Sequence, residues 1–92
     1  MRYTWDPAKA EINLKKHGVS FEEAATVFAD PSALYAADRD HDHEERMRVI
    51  GNSSAGRVLF VVGCEVVADE EIRIISARRA TASERKAYEE GS

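Results

Sequence analysis

Cysteine is nearly missing from this chain of 92 residues, which contains one, Cys64. A single cysteine excludes an internal disulfide and has no CxxC partner for a metal site, so we interpret Cys64 as a small core residue. Long apolar runs are missing too, since the longest, Val58 to Cys64, is far too short to cross a bilayer. The N-terminus also lacks the apolar core of a signal peptide. These absences predict a cytoplasmic protein with no membrane partner.

An excess of positive charge is also lacking, since 13 Lys and Arg stand against 17 Asp and Glu and the pI is about 5.3. Such a balance argues against non-specific nucleic-acid binding over the whole surface. Positive charge is nevertheless concentrated between Ile72 and Tyr88, where Glu84 is the one acid. The basic residues there are Arg73, Arg78, Arg79, Arg85 and Lys86. A local basic patch favours a focused phosphate site or a partner that recognises charge.

The segment Glu71 to Ala80 has the composition of a strand that carries arginines. Two-residue alternation predicts Ile72, Ile74, Ser76 and Arg78 on one face, and Arg73, Ile75, Ala77 and Arg79 on the other. Arginine offers a fixed fork of donors that suits phosphate, and a strand holds that fork more firmly than a loop does. The alternative is that these arginines pair with carboxylates of the same chain.

Capping signals mark the helices. Asp6-Pro7 predicts the start of a helix that ends at about His17, before Gly18, and Ser20 with Glu23 forms a capping box for a helix reaching about Ala29. Thr81 with Glu84 predicts a last helix up to Glu90.

The strands are predicted from β-prone and alternating segments at 2–5, 34–37, 46–49, 57–64 and 70–78, with a hairpin turn at 52–56. The order β-α-α-β-β-β-β-α predicts an α+β fold, in which helices flank a small antiparallel sheet. The length fits one domain over residues 1–92.

Two groups of residues have the composition of a reactive site. The run from Asp38 to Glu45 includes His41 and His43, which point the same way in an extended segment and could bind a divalent metal, although such runs are usually solvated connections. The second group combines proton-transfer groups with cations, as metal-free RNA cleavage requires, and comprises His17, Glu45, Arg46, Arg57, Arg73, Arg78 and Arg79. Ordinary surface ion pairs are the alternative for each of these residues.

The chain resembles the BrnT family of toxins in motifs that cover nearly its whole length. The first half carries Trp5-Asp6-Pro7-x-Lys9-Ala10, Asn13-x-x-Lys16-His17-Gly18-Val19-Ser20-Phe21-Glu22-Glu23-Ala24 and Val27-Phe28-x-Asp30-Pro31. The second half carries Glu44-Glu45-Arg46, Gly51-x-Ser53, Gly56-Arg57-x-Leu59-x-Val61-Val62, Ile72-Arg73-Ile74-Ile75-Ser76-Ala77-Arg78 and Glu84-Arg85-x-x-Tyr88.

This resemblance implies a ribonuclease toxin of a type II toxin-antitoxin pair, with a RelE-like fold and no cofactor or metal. It implies that a BrnA-like antitoxin neutralises the chain, and that operator DNA is bound only through the toxin-antitoxin complex. A non-catalytic module that docks a DNA-binding partner, and a metal-dependent hydrolase that uses His41 and His43, are the alternatives. The resemblance favours the ribonuclease.

The resemblance also implies candidate site residues. His17 is expected to transfer protons, with Glu45 as the alternative base, and Arg57, Arg73, Arg78 and Arg79 are expected to bind the phosphate. Lys16 and Arg46 are expected to contact RNA, and Trp5 either stacks on a base or packs against the protein. Because Arg73 and Arg79 cannot share a face of a regular strand with Arg78, at least one arginine is expected to serve structure or the antitoxin, unless a bulge near Ala77 re-aims the strand.

Overall fold

A computed structural model of the chain describes residues 1–38 and 46–91. In chain order the elements are β1 (Arg2–Thr4), α1 (Pro7–His17), α2 (Phe21–Thr26), a short 3-10 helix (Val27–Ala29), β2 (Leu34–Asp38), β3 (Arg46–Asn52), β4 (Val58–Val67), β5 (Glu71–Arg79) and α3 (Ala82–Glu90). The predicted α+β class is confirmed. The predicted second helix is shorter than expected, because its last turn is the 3-10 helix. Within the described part of the chain, no helix has the length and apolar character that a membrane crossing requires.

The sheet has five strands in the order β1-β5-β4-β3-β2. Strands β2 to β5 are antiparallel neighbours, but β1 pairs in parallel with β5. The prediction of a purely antiparallel sheet is therefore wrong, since the sheet is mixed. Alternation within a strand predicts which residues share a face but not which strand lies next to it or in which direction, and β1 and β5 are separated by most of the chain.

The helix ends agree with their capping signals. The Asp6 carboxylate accepts a hydrogen bond from the backbone N–H of Ala8 at 2.9 Å, and α1 ends at Gly18 in the left-handed conformation at φ 69°. A left-handed residue is most easily supplied by glycine, which has no Cβ to clash. Thr81 and Glu84 form the reciprocal capping box of α3.

The core lies between α1, α2 and one face of the sheet. Its fully or nearly buried members are Val19, Phe21, Ala24, Val27, Val49, Leu59, Val61, Ile74 and Ala77. Cys64 is half-buried and pairs in register with Arg46 and Arg73, whereas its neighbour Gly63 pairs with Met47 and with the core residue Ile74. The prediction of Cys64 as a core residue is therefore wrong, because it lies on the face of the sheet that points away from the core.

The register between β4 and β5 shifts twice. Val62 pairs with Ser76 and Gly63 with Ile74, so Ile75 is an extra residue on β5; Glu65 pairs with Ile72 and Val67 with Glu71, so Val66 is an extra residue on β4. Each extra residue is a β-bulge, which breaks the two-residue alternation of side chains.

The bulge at Ile75 changes which residues of β5 share a face. Ile72, Ile74 and Ala77 are all buried, although regular alternation would place Ala77 opposite to the other two. The predicted assignment of faces is therefore wrong beyond Ile75. Arg73 and Arg78 lie on the face away from the core, and Arg79 follows Ala77 on the core face, where the strand ends.

Candidate active site

A groove lies on the face of the sheet that points away from the core, and Lys9 of α1 borders it. Its volume is about 380 Å³, and its described lining residues are Lys9, Arg46, Cys64, Val66, Arg73 and Ile75. Three of these side chains are cationic at neutral pH and none is acidic. The groove therefore concentrates positive charge on a chain whose net charge is -4.

The two arginines reach the groove from separate strands. Arg46 on β3 pairs in register with Cys64 on β4, and Cys64 pairs with Arg73 on β5, so the three residues form one row across the sheet. Neighbouring strands lie about 4.8 Å apart, which places the two arginine backbones about 10 Å apart on the same face. At this spacing both guanidinium groups can reach one anionic group between them.

The third cation, Lys9, comes from α1. This helix lies along the free edge of β5, because the Asn13 side chain is hydrogen-bonded to the backbone of Ala77. Lys9 lies one helical turn before Asn13 and so reaches the same groove from the side. Guanidinium forks and an ammonium group are donors that proteins use to bind phosphate.

Arg57 lies away from the groove and is bound to Glu23. Its Nε donates to Glu23 Oε2 at 2.9 Å, its Nη2 donates to Glu23 Oε1, and Nη2 also donates to the carbonyl of Gly18 at 3.2 Å. Ser53 Oγ donates to Glu23 Oε2 at 2.7 Å. The hydrogen bonds from Arg57 hold the pKa of the Glu23 carboxyl below its usual range, and the carboxylate raises the pKa of Arg57.

The contacts of Glu23 correct the predicted capping box at Ser20. Ser20 Oγ does accept a hydrogen bond from the backbone N–H of Glu23 at 3.0 Å. The Glu23 carboxylate, however, faces Arg57 and Ser53 instead of returning to the backbone of Ser20. In this Ser-x-x-Glu pattern, Ser20 caps the helix and Glu23 binds Arg57.

Arg78 is also held by a carboxylate. Its Nη1 and Nη2 donate to the two oxygens of Glu84 on α3 at 2.8 and 2.9 Å, and its guanidinium lies 4.2 Å from the centre of the Phe60 ring. This bidentate pair joins the end of β5 to the first turn of α3. The predicted alternative of an intramolecular ion pair is thus observed for Arg78.

Arg79 is exposed, and its charge adds to the effect of Arg57 in lowering the pKa of the Glu23 carboxyl. His17, the last residue of α1, is half-buried, and Lys16 is exposed. Since Arg57 contacts Gly18, the end of α1 lies beside Arg57. We call Glu23, Ser53, Arg57 and Arg79 the Glu23 cluster.

The predicted residues therefore form two separate groups. Arg79 follows Arg73 by six positions on β5, a distance of about 20 Å along the strand, and the bulge places them on opposite faces. The groove brings together Arg46 and Arg73, while the Glu23 cluster brings together Arg57 and Arg79 near the end of α1. One phosphate cannot contact both groups.

Trp5 and Glu45 are the remaining predicted residues. Trp5 packs edge-to-face on Phe21 at the margin of the core, with ring centres 6.1 Å apart, which is the packing alternative given for it. Glu45 falls within residues 39–45, which lie outside the described residues, as does most of the predicted metal-binding run. Residues 1–38 and 46–91 contain no group of three or more His, Cys, Asp or Glu arranged to hold a metal ion.

Lys9 and Glu23 are the site residues that sequence reasoning missed. Both belong to the family motifs quoted above, Lys9 one turn into α1 and Glu23 within the second helix. Their position in those motifs could have identified them as candidate site residues. The motifs do not show that Lys9 lies near Arg73 or that Glu23 pairs with Arg57, because these arginines are distant in sequence.

Comparison with known proteins identifies a family and a similar solved structure. The sequence model of the family described as "Ribonuclease toxin, BrnT, of type II toxin-antitoxin system" matches residues 5–84. The crystal structure of the Brucella abortus ribonuclease toxin BrnT is similar in fold, with a TM-score of 0.66 and 25% sequence identity over 88% of this chain and 97% of that one. No curated protein sequence gave a match.

Proposed function

Because the chain belongs to the BrnT family of ribonuclease toxins of type II toxin-antitoxin systems, we propose that it is an endoribonuclease that cleaves RNA without a metal ion and so inhibits translation. An RNA target and an antitoxin partner are implied by the family. We further propose a RelE-like fold, a single toxin domain over residues 1–92, and a cytoplasmic location, where such a target is found.

The observation that carries this proposal is the convergence of Lys9, Arg46 and Arg73 on one groove. Cleavage of RNA by its own 2′-OH forms a bond from the 2′ oxygen to phosphorus and breaks the bond to the 5′ oxygen. Negative charge builds up on the phosphoryl oxygens during this exchange. Fixed cations beside those oxygens stabilise the transition state and reduce the need for a metal ion.

The exchange also needs two proton transfers. A base takes the proton from the 2′-OH, and an acid gives one to the departing 5′ oxygen. His17, at the end of α1, is our proposed proton-transfer group. Glu45, the residue before Arg46 in the sequence, is the alternative base.

We assign the Glu23 cluster a supporting part. Arg79 lies too far from Arg73 along β5 to share its phosphate, so it would contact RNA beyond the scissile phosphate or the antitoxin. Lys16, in the last turn of α1, would contact RNA. Arg57 and Arg78 would hold the site in shape through Glu23 and Glu84.

The antitoxin would be BrnA-like and would carry the operator-binding surface of the complex. A net charge of -4 on the toxin suits a basic DNA-binding partner. Non-catalytic docking of that partner is the competing function.

The test is cleavage of purified total RNA in excess EDTA by the parent chain, Arg73→Ala and Arg85→Ala. Arg85 is exposed on α3, so its variant removes the same charge outside the groove. We expect cleavage by the parent and by Arg85→Ala, and a loss of about 100-fold for Arg73→Ala. Cleavage that requires added divalent metal would contradict metal independence. A folded parent that cleaves neither free RNA nor RNA on translating ribosomes would favour the docking module.

A further inference from the structure

The groove has an apolar wall beside its cations. Val66 and Ile75 line it together with Lys9, Arg46 and Arg73. Val66 is 50% exposed, on a chain in which a third of all residues are charged. An exposed aliphatic side chain next to three cations indicates a ligand that has both an anionic and an apolar part.

Both residues of this wall are bulge residues. Ile75 and Val66 are the two positions that the β4–β5 register skips. A bulge turns its extra residue out of the regular pleat, and bulges are frequent where a strand must re-aim a side chain at a site. Two separate irregularities thus place their extra residues in one groove, so the apolar wall is a specific feature of the strand pairing.

A nucleotide has the two parts that the groove requires. Its phosphate carries the negative charge, and its base presents a broad apolar face that packs on protein side chains. A groove of about 380 Å³ lies within the usual range for a small-ligand pocket of about 300 to 1,000 Å³.

The wall also decides between single-stranded and double-stranded RNA. In an A-form duplex the bases are stacked and paired in the interior, so no base face can reach Val66 or Ile75 while the phosphate lies on the arginines. A single strand can turn a base outward. Duplex RNA would therefore meet the cations alone.

We propose that the groove binds one unpaired nucleotide of single-stranded RNA, with the phosphate on Lys9, Arg46 and Arg73 and the base against Val66 and Ile75. This inference rests on the proposed ribonuclease function and names the form of RNA that the site takes. Val66 and Ile75 select single-stranded over duplex RNA, whereas the cations bind the phosphates of both.

The test is binding of a 2′-O-methyl RNA oligonucleotide, free or annealed to its complement, followed by fluorescence anisotropy with the full chain. The 2′-O-methyl groups remove the nucleophile, so binding is measured without cleavage. Val66→Ser removes the apolar contact. Val67→Ser is the matched control, since Val67 is the next residue, is 39% exposed and is not among the lining residues.

We expect the parent to bind the single strand at least tenfold more tightly than the duplex. Val66→Ser should weaken single-strand binding about fivefold, because it removes apolar contact area, and leave duplex binding unchanged, because only an unpaired base can pack against Val66. Val67→Ser should change neither affinity. Circular dichroism of each variant checks that it is folded.

Equal affinity of the parent for both forms, or equal losses in the two valine variants, would overturn the inference. Poly-L-glutamate, tested as a probe for an acidic protein, would overturn it as well if it bound as tightly as the oligonucleotide and depended on Val66. Cleavage of total RNA is measured in parallel. Cleavage without single-strand preference leaves the ribonuclease intact and rejects the inference. Val66-dependent preference without cleavage of free RNA or of RNA on translating ribosomes supports the groove and rejects the ribonuclease.

Discussion

The side chain of Asn13 replaces a missing strand beside Ala77. The Ala77 N–H donates to Asn13 Oδ1 at 3.2 Å, and Asn13 Nδ2 donates to the Ala77 carbonyl at 2.8 Å and to the Val19 carbonyl at 3.0 Å. Strand β1 pairs with β5 only as far as Arg73, so Ala77 would otherwise have an unpaired edge. The amide satisfies the backbone groups of Ala77 at that edge and holds α1 against β5. Lys9 and His17 are positioned by the same helix.

Asn13→Ala should therefore lower the free energy of unfolding by about 3 kcal/mol, because it leaves buried backbone groups of Ala77 without partners. Urea denaturation measures the change. Glu11→Ala on the exposed side of the same helix is the control, with an expected change below about 0.5 kcal/mol. Equal effects of the two substitutions would contradict the role assigned to the amide.

The hydrogen bonds of Glu23 predict a dependence of stability on pH. Its pKa is lowered in the folded state, so its contribution is fully present above the unfolded value of 4.5 and is lost as the pH falls through the folded value. Glu23→Gln should lower the unfolding free energy by about 1–2 kcal/mol at pH 7 and flatten part of the decline below about pH 5.

Glu22→Gln is the matched control for this change, since Glu22 is the exposed neighbour in the same helix turn. Urea denaturation at a series of pH values from about 3 to 7 compares the two variants with the parent. Other carboxyl groups whose pKa is lowered, such as that of Glu84, leave some pH dependence of stability in every variant. A Glu23→Gln curve parallel to that of Glu22→Gln would show that the pair with Arg57 adds no stability.

The pair between Arg78 and Glu84 should show energetic coupling. A double-mutant cycle on the unfolding free energy with Arg78→Ala and Glu84→Ala should give a coupling energy of about 1–2 kcal/mol, because the pair is bidentate and half-buried. The same cycle on Lys86 and Glu90, an exposed pair 4.0 Å apart on α3, should give less than about 0.5 kcal/mol. Coupling energies of similar size would mean that Arg78 does not hold α3 to the sheet.

Local features of this fold could be predicted from the sequence because they depend on residues a few positions apart. The Asp6 cap, the left-handed Gly18 and the Thr81–Glu84 box are contacts of this kind. The chain order of strands and helices follows from such punctuation, and so does the α+β class.

Features that depend on distant residues could not be predicted. The parallel pairing of β1 with β5 joins residues 2–4 to residues 71–73, and nothing in either segment encodes the partner. The bulge at Ile75 arises from the register between β4 and β5, so the alternation of Ile72 to Arg79 gave a wrong set of faces. The sequence identified the arginines as candidate site residues. Which of them line the groove and which pair with Glu23 or Glu84 depends on tertiary contacts.

Lys9 lines the groove in the structure, although the sequence did not identify it as a site residue, and its role in binding phosphate can be tested. If its ammonium group neutralises one phosphate of a bound single strand, Lys9→Ala should reduce the slope of log K against log salt by about 0.7. Anisotropy with the 2′-O-methyl single strand between about 50 and 200 mM salt measures that slope. Lys86→Ala, which removes an exposed lysine of α3, should leave the slope unchanged. A Lys9→Ala slope equal to that of the parent would remove Lys9 from the phosphate site and leave Arg46 and Arg73 as its cations.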